Sequence, residues 1–273
     1  MIRRGIGVQS FVSAGVSTDA DAQAFITAAG ITDATQQSAI NTLVTDLKGY
    51  SIWSKMKAIY PFVGGTSSAH KWNLKDPRDL DAAFRLVFSG GWTHSSTGAL
   101  PNGTNGYADT KLNQSANLML NSNHISVYSR SNTNSGINQD FRFDCGITDN
   151  ATYSFNQIAM SANLQQHGYN GSHSIIVSVS DSLGYGLLTS TASNASKMYK
   201  NGTSIGSSTT SQSFSLFNST IYLGAANHAG VGAKYYSNRE IAFSTIGDGL
   251  TDTEAANLYT AVQAYQTTLS RNV

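Results

Sequence analysis

Residues 221–269, IYLGAANHAGVGAKYYSNREIAFSTIGDGLTDTEAANLYTAVQAYQTTL, decide how this chain folds. Ile221-Tyr222-Leu223 is a short apolar run ended by Gly224. Ile241, Phe243 and Thr245 then alternate with Ala242 and Ser244, the period of a strand. Gly247-Asp248-Gly249 breaks that strand. Thr251 follows as a helix N-cap, and Glu254, three residues on, can reach back to its amide as a capping box. Ala255, Leu258, Tyr259, Val262, Tyr265 and Leu269 recur at helical spacing on one face. A lone amphipathic helix at the end of a strand-rich chain must lie on a sheet to bury that face.

Working outward, 273 residues suffice for one large core, or one core and a small satellite. Charged residues are only 12% of the chain, about half the usual share. The mean hydropathy is nevertheless −0.21, so the polarity comes from Ser, Thr, Asn, Gln and Gly, which suit turns and outer strand faces. A net charge of +1 without a polybasic run argues against nucleic acid as a partner. No apolar run approaches the roughly 18 residues of a membrane span, so no membrane insertion is expected. No signal peptide is read in the first residues. Cys145 is the single cysteine, read as a small residue on a buried strand.

Residues 1–17 have no clear period and read as an extended N-terminal arm. Residues 18–60 read as a helical segment. Thr18 caps a first helix with Ala22, Phe25, Ile26 and Ala29 inward and Gly30 as its stop. Thr32-Asp33 starts a second, with Ile40, Leu43, Val44 and Leu47 inward and Gly49 at its end. A further turn or short helix is expected over 52–59. From 61 to 273 the expectation is a β-sandwich closed by the C-terminal helix. Its strands are marked by Phe84, Leu86 and Phe88; Ile125 and Val127; Phe141, Phe143 and Cys145; Ile175, Val177 and Val179; and Phe214 and Leu216. The residues between are mostly polar, as in antiparallel sheets with one wet face. Asn201-Gly202 predicts a hairpin through a type I′ turn.

Five stretches carry a resemblance: LVTDLKGYSIWSKMKAIYPFVGGTSSAHKWNLKDP (43–77), FRLVFSGGWTHSSTGALPNGTNGYADTKL (84–112), MYKNGTSIGSS (198–208), IYLGAAN (221–227) and IAFSTIGDGLTDTEAANLYTAVQAYQTTL (241–269). Together they resemble the laminin-G-like, concanavalin A-like modules of bacteriophage virion proteins, over roughly residues 40–270. The resemblance implies a mainly β fold: a concanavalin A-like antiparallel β-sandwich, or jelly roll, with a small N-terminal helical segment and a C-terminal helix. It implies a virion component, assembled in the host cytoplasm, whose partners are other virion proteins and copies of itself. In members that bind sugars, the concave sheet or its edge loops form the site.

Glycosidases on this fold use paired carboxylates. This chain has two glutamates, Glu240 and Glu254. Glu254 is accounted for as a cap, and Glu240 reads as a surface partner of Arg239. Asp140 and Asp144 share a strand face but sit about 13 Å apart along it. That spacing exceeds both the retaining and the inverting geometry, and a solvated strand face is the simpler reading. His167 and His173 flank a Gly-Tyr-Asn-Gly-Ser stretch and read as surface loop residues. Calcium is possible on a lectin-like sandwich, but the loop acids Asp109, Asp149, Asp181 and Asp248 stand singly, and no cofactor is predicted. Asp248 reads as a turn residue.

Tyr and Trp join an apolar face to a polar tip and can stack on sugar rings. Trp92, Tyr107, Tyr169 and Tyr185 lie near glycine-rich turns and are the candidate ligand-binding residues; Trp53 and Trp72 read as packing. The leading expectation is a non-enzymatic virion structural protein that mediates assembly and host attachment. A carbohydrate-binding receptor module bound to host surface glycan is the alternative, and a glycan hydrolase the third reading.

Overall fold

A computed structural model describes residues 18–133, 142–148, 154–160, 165–170, 172–213, 215–229 and 231–273. The arm at 1–17, Asp140, Phe141, Asp149 and Phe214 lie outside these residues. The helices are α1 (Ala20–Ala29), α2 (Ala34–Gly49), α3 (Ser67–His70), α4 (Gln114–Asn117) and α5 (Asp252–Thr268). The strands are β1 (Met56–Tyr60), β2 (Val87–Ser89), β3 (Trp92–Ser95), β4 (Gly98–Pro101), β5 (Tyr107–Asn113), β6 (Asn123–Ser129), β7 (Arg142–Thr148), β8 (Ser154–Met160) and β9 (Gln165–Asn170). After them come β10 (His173–Ser178), β11 (Gly184–Ala192), β12 (Ala195–Lys200), β13 (Thr203–Ser208), β14 (Thr220–Leu223), β15 (Ala226–His228), β16 (Gly232–Lys234) and β17 (Ile241–Gly247).

The strands form a sandwich. The first sheet runs β13-β12-β11-β6-β17-β4-β3, with β1 also on β17; the second runs β10-β9-β8-β7-β14-β5-β2, with β15 and β16 beside it. Among the described residues, pairing is antiparallel except for a short parallel contact of β15 with β7 and a single parallel bridge between Phe143 and Tyr236. Ile125, Val127, Leu188 and Ile246 of the first sheet meet Leu112, Cys145, Ile147 and Leu223 of the second in one apolar layer.

A second apolar layer lies on the other side of the first sheet. There α1, α2 and α5 pack their apolar faces onto Tyr128, Tyr185, Leu187, Tyr199 and Phe243. The caps explain why these helices begin and end where they do. Asp19 and Asp33, the residues next to the Thr18 and Thr32 of the sequence reading, accept the first-turn amides of α1 and α2. Gly30 closes α1 at φ 65°, a conformation that costs glycine little. Thr251 and Glu254 form the expected capping box. The hairpin β12–β13 turns on Asn201 at φ 48° and Gly202 at φ 77°, the signs a type I′ turn needs.

The helical layer corrects several expectations. The chain from Met56 to Tyr60 is a strand beside β17 and not a further helical turn; only Trp53–Lys55 makes a 3₁₀ turn. The polar positions of the central strands have no wet face. β6 and β17 are buried along their whole length, because helices cover one side and the second sheet the other. Their polar side chains satisfy one another: Ser126 and Thr245 hydroxyls lie 2.6 Å apart, and Ser244 donates to the Ser126 carbonyl. Phe84 sits at φ 58° after a 3₁₀ turn, so the Phe84–Phe88 alternation yields a strand only over β2. Leu216 lies in a loop.

The chain end is fastened by Arg271, which is 1% exposed. Its guanidinium donates to the carbonyls of Pro61, Phe62 and Ala242 and to Gln266 Oε1. Trp53 and Trp72 pack against the helical core as expected, with Lys75 over the Trp53 ring and Lys71 over Trp72.

Candidate functional site

The three long helices pack on the first sheet, and among the described residues no long helix lies on the outer face of the second. Strand β5 alternates with a period of two: Ala108, Thr110 and Leu112 are buried, while Tyr107, Asp109 and Lys111 face outward. β14 does the same, with Ile221 and Leu223 inward and Tyr222 outward. The register sets Tyr222 opposite Asp109 and Leu223 opposite Ala108, which places Tyr107 diagonally across from Tyr222. Their rings stack at 4.6 Å between centroids and 24° between planes. Such an offset pair is worth about 0.5–1.5 kcal/mol beyond the area it buries.

Three groups frame this pair. Lys111 Nζ lies 3.0 Å from Asp109, whose Oδ1 also accepts the Lys111 amide at 2.8 Å. Tyr236 donates its hydroxyl to the Ala233 carbonyl at 2.8 Å. Arg142 donates from Nη1 to the carbonyls of Tyr236 and Gly103. Half-burial, then the Asp109 carboxylate and the Tyr107 phenol, push the Tyr222 phenol up to about 12. Burial followed by Tyr107 raises Tyr236 as well. Both phenols therefore stay neutral at ordinary pH, and Tyr236, whose proton goes to the Ala233 carbonyl, keeps oxygen lone pairs to accept with.

Trp92 is a bracket behind the pair. Its indole N–H donates to the carbonyls of Ser89 and Tyr107, and its ring stands edge-on to Phe88. The ring rim passes so close to Gly224 that a Cβ there would lie 2.9 Å from it. Trp92 thus ties the start of β5 to the turn after β14, the two ends that bring Tyr107 and Tyr222 together.

Of the four candidate residues, the structure gathers two, Trp92 and Tyr107. Tyr185 is 1% exposed, under α5 and 6.1 Å from the Tyr259 ring, so it packs the helical core and cannot meet a ligand. Its neighbouring glycines, Gly184 and Gly186, sit in a covered strand and not in a turn. Tyr169 lies on β9 with its backbone opposite Ser174, on a strand and not at a loop tip; its side chain lies outside the described residues. Tyr222 and Tyr236 were not singled out. Tyr222 carries a signal in the sequence, a tyrosine between two aliphatic residues in a short strand, but only the register with β5 makes it half of a pair.

The carboxylates are largely engaged by cations. Asp144 is not on a solvated face: it is 5% exposed and accepts from Arg239 Nε at 2.8 Å, with Arg239 fully buried. Glu240 therefore does not pair with its neighbour Arg239. It receives Arg130 Nη1 and the Thr97 hydroxyl instead. Glu254, besides capping, meets Lys55 at 2.6 Å. His173 is a buried strand residue and not a loop one; Nε2 donates to the Thr210 carbonyl and Nδ1 is bonded by Ser196. Among the described residues no three His, Cys, Asp or Glu side chains cluster as metal ligands.

No protein-family model and no curated protein sequence matches the chain. Solved structures do match in fold. Trypanosoma rangeli sialidase, in a complex with 2,3-difluorosialic acid, superposes with a TM-score of 0.52 at 10% identity, covering 82% of this chain and 38% of that one. A mutant of that sialidase displaying trans-sialidase activity gives 0.51 at 10% identity, covering 84% and 39%. A botulinum neurotoxin type C structure, from work on cell entry dependent on two ganglioside molecules, gives 0.53 at 15% identity, covering 78% and 52%. The chain spans about two fifths to half the length of these proteins. The likeness defines the fold: a β-sandwich of the kind found in these sialidase and neurotoxin structures.

Proposed function

We propose that this chain is a carbohydrate-binding attachment module, and that the Tyr107–Tyr222 pair is its binding face. The observation that carries the proposal is a stacked aromatic pair on the face of the second sheet that no described long helix covers, ringed by Asp109, Lys111 and the Tyr236 phenol. An apolar ring face takes the C–H face of a sugar, and neutral phenols and a carboxylate bond its hydroxyls. The shared fold supports this reading only in that ganglioside dependence is attached to one similar structure. Binding without catalysis is part of the proposal, supported by Asp144, Glu240 and Glu254 each being held by a cation.

The test is a glycan array followed by calorimetry. Tyr222→Ala and Tyr107→Ala should each weaken binding by about tenfold or more, as loss of one stacking contact implies. Tyr185→Phe should leave affinity unchanged. Absence of any glycan bound by the unaltered protein rejects the reading.

A more particular setting follows from the five sequence stretches that resemble phage virion modules. We propose that the module belongs to a bacteriophage virion and contacts other virion proteins and its own copies. Electron microscopy of purified particles carrying a labelled copy tests this; particles lacking the chain reject it.

A further inference from the structure

The first sheet has its own open area, on the side opposite the tyrosines. On its helix side, Leu187 and Tyr199 lie under the helical layer. Two residues along each strand, on the same face, stand Thr189 and Lys197, paired in register, with Ser207 of β13 next in the row. There α5 begins, and its first turn forms a wall over the row. The cavity between them measures about 530 Å³. That volume lies within the range of small-molecule sites, about 300–1,000 Å³.

Its electrostatics are balanced within the protein. Among the described lining residues there is one cation, Lys197, and one carboxylate, Asp252. They bond at 2.6 and 2.8 Å, and the Tyr199 hydroxyl adds a third bond to Asp252. The first turn of α5 is equally engaged, since Thr251 accepts the Glu254 amide and Glu254 accepts the Thr251 amide. An anion thus finds no cation that is free of Asp252, and a cation finds no unpaired carboxylate. What the walls do offer is a set of hydroxyls. Thr191, Ser207, Ser208, Thr209 and Thr253 make no side-chain hydrogen bond to described residues. Each is both donor and acceptor.

We propose that this groove binds a neutral oligosaccharide of two or three rings, as a second glycan site independent of the tyrosine face. Uncharged polyols match a lining that exchanges hydrogen bonds in both directions and carries no net charge. With sites on opposite faces, one molecule could bridge two glycan chains, and its affinity for a dense glycan surface would exceed that of either site.

Amide chemical-shift mapping on the ¹⁵N-labelled protein tests the proposal, with free maltotriose, chitotriose and 3′-sialyllactose as probes at about 10 mM, enough for weak millimolar sites. The expected result is that a neutral trisaccharide shifts the amides of Ser207, Ser208 and Thr253, in the unaltered protein and in Tyr222→Ala alike. The paired change Ser207→Leu with Thr253→Leu should weaken these shifts by about tenfold or more while the remaining amides keep their positions. If that pair disturbs the fold, Ser207→Ala alone serves, with a smaller loss expected. Groove amides unmoved by either neutral sugar, or moved more by the sialylated one, overturn the proposal. Failure of the tyrosine face alone leaves the groove shifts in place, so the two readings fail separately.

Discussion

Asp144 and Arg239 show how much one residue pair can hold. Arg239 is fully buried, bonds Asp144 through Nε and the Arg142 carbonyl through Nη2, and Asp144 also accepts the Ser237 hydroxyl. Desolvating two charges offsets much of their attraction, but removing one partner leaves the other charge buried and unpaired. Asp144→Asn should therefore lower stability by about 3–5 kcal/mol in urea denaturation, and Asp144→Leu with Arg239→Met should recover most of that loss. A loss under about 1 kcal/mol would assign the pair a surface role. The sequence places Asp144 correctly on a strand but suggests water beside it. Nothing in the spacing of Arg142, Asp144 and Arg239 reveals that a chain 95 residues later returns to cover it. Cys145, by contrast, is legible as buried, because it alternates with Phe143 and Ile147 on one strand face.

Elements are read from sequence as well as their boundaries are marked chemically. Gly30, Asn201-Gly202 and Thr251-Glu254 are all marked, and all stand where expected. β1 is unmarked: Met56-Lys57-Ala58-Ile59-Tyr60 has no turn signal before it and follows two helices, so its pairing with β17 is visible only in three dimensions. The tyrosine pair shares that limit, since register is set by partners far away in sequence. The β12–β13 hairpin supplies the test at this scale. Its Gly202 has φ 77°, and a Cβ there would lie 2.5 Å from the Tyr259 ring of α5. Gly202→Ala should cost more than about 1 kcal/mol, since both the backbone and the packing oppose it. The same substitution at Gly232, where no atom lies near, should cost only the backbone share. Equal losses at the two sites would show that the turn does not bear on the helix.

For the molecule as a whole, buried neutral histidines set the response to acid. His124 is fully buried, donates from Nδ1 to the Asp248 carbonyl and accepts from Thr245 at Nε2. Burial holds its pKa down to about 4. His70, whose Nδ1 faces Nδ1 of His94 at 2.9 Å, is held down to about 3 by burial and then by His94. In the unfolded chain both titrate near about 6.5. Their contribution is thus complete above about pH 6.5 and is lost as pH falls toward the folded values, by about 3 kcal/mol for His124 and about 5 kcal/mol for His70. Urea midpoints should decline steadily between about pH 6.5 and 4.5, before most carboxylates titrate, and His124→Gln should flatten that decline. A flat profile over this range would mean that the folded protein accepts the protons.

Arg271 has a consequence for how the molecule is made. Its guanidinium grips carbonyls at Pro61 and Phe62, some two hundred positions earlier, and β1 can join the first sheet only beside β17. During synthesis α1 and α2 must therefore wait, without their final support, until Arg271 has been made. Contacts of such long sequence separation slow folding. A ribosome stalled before Arg271 would hold a chain whose first two long helices have not yet docked.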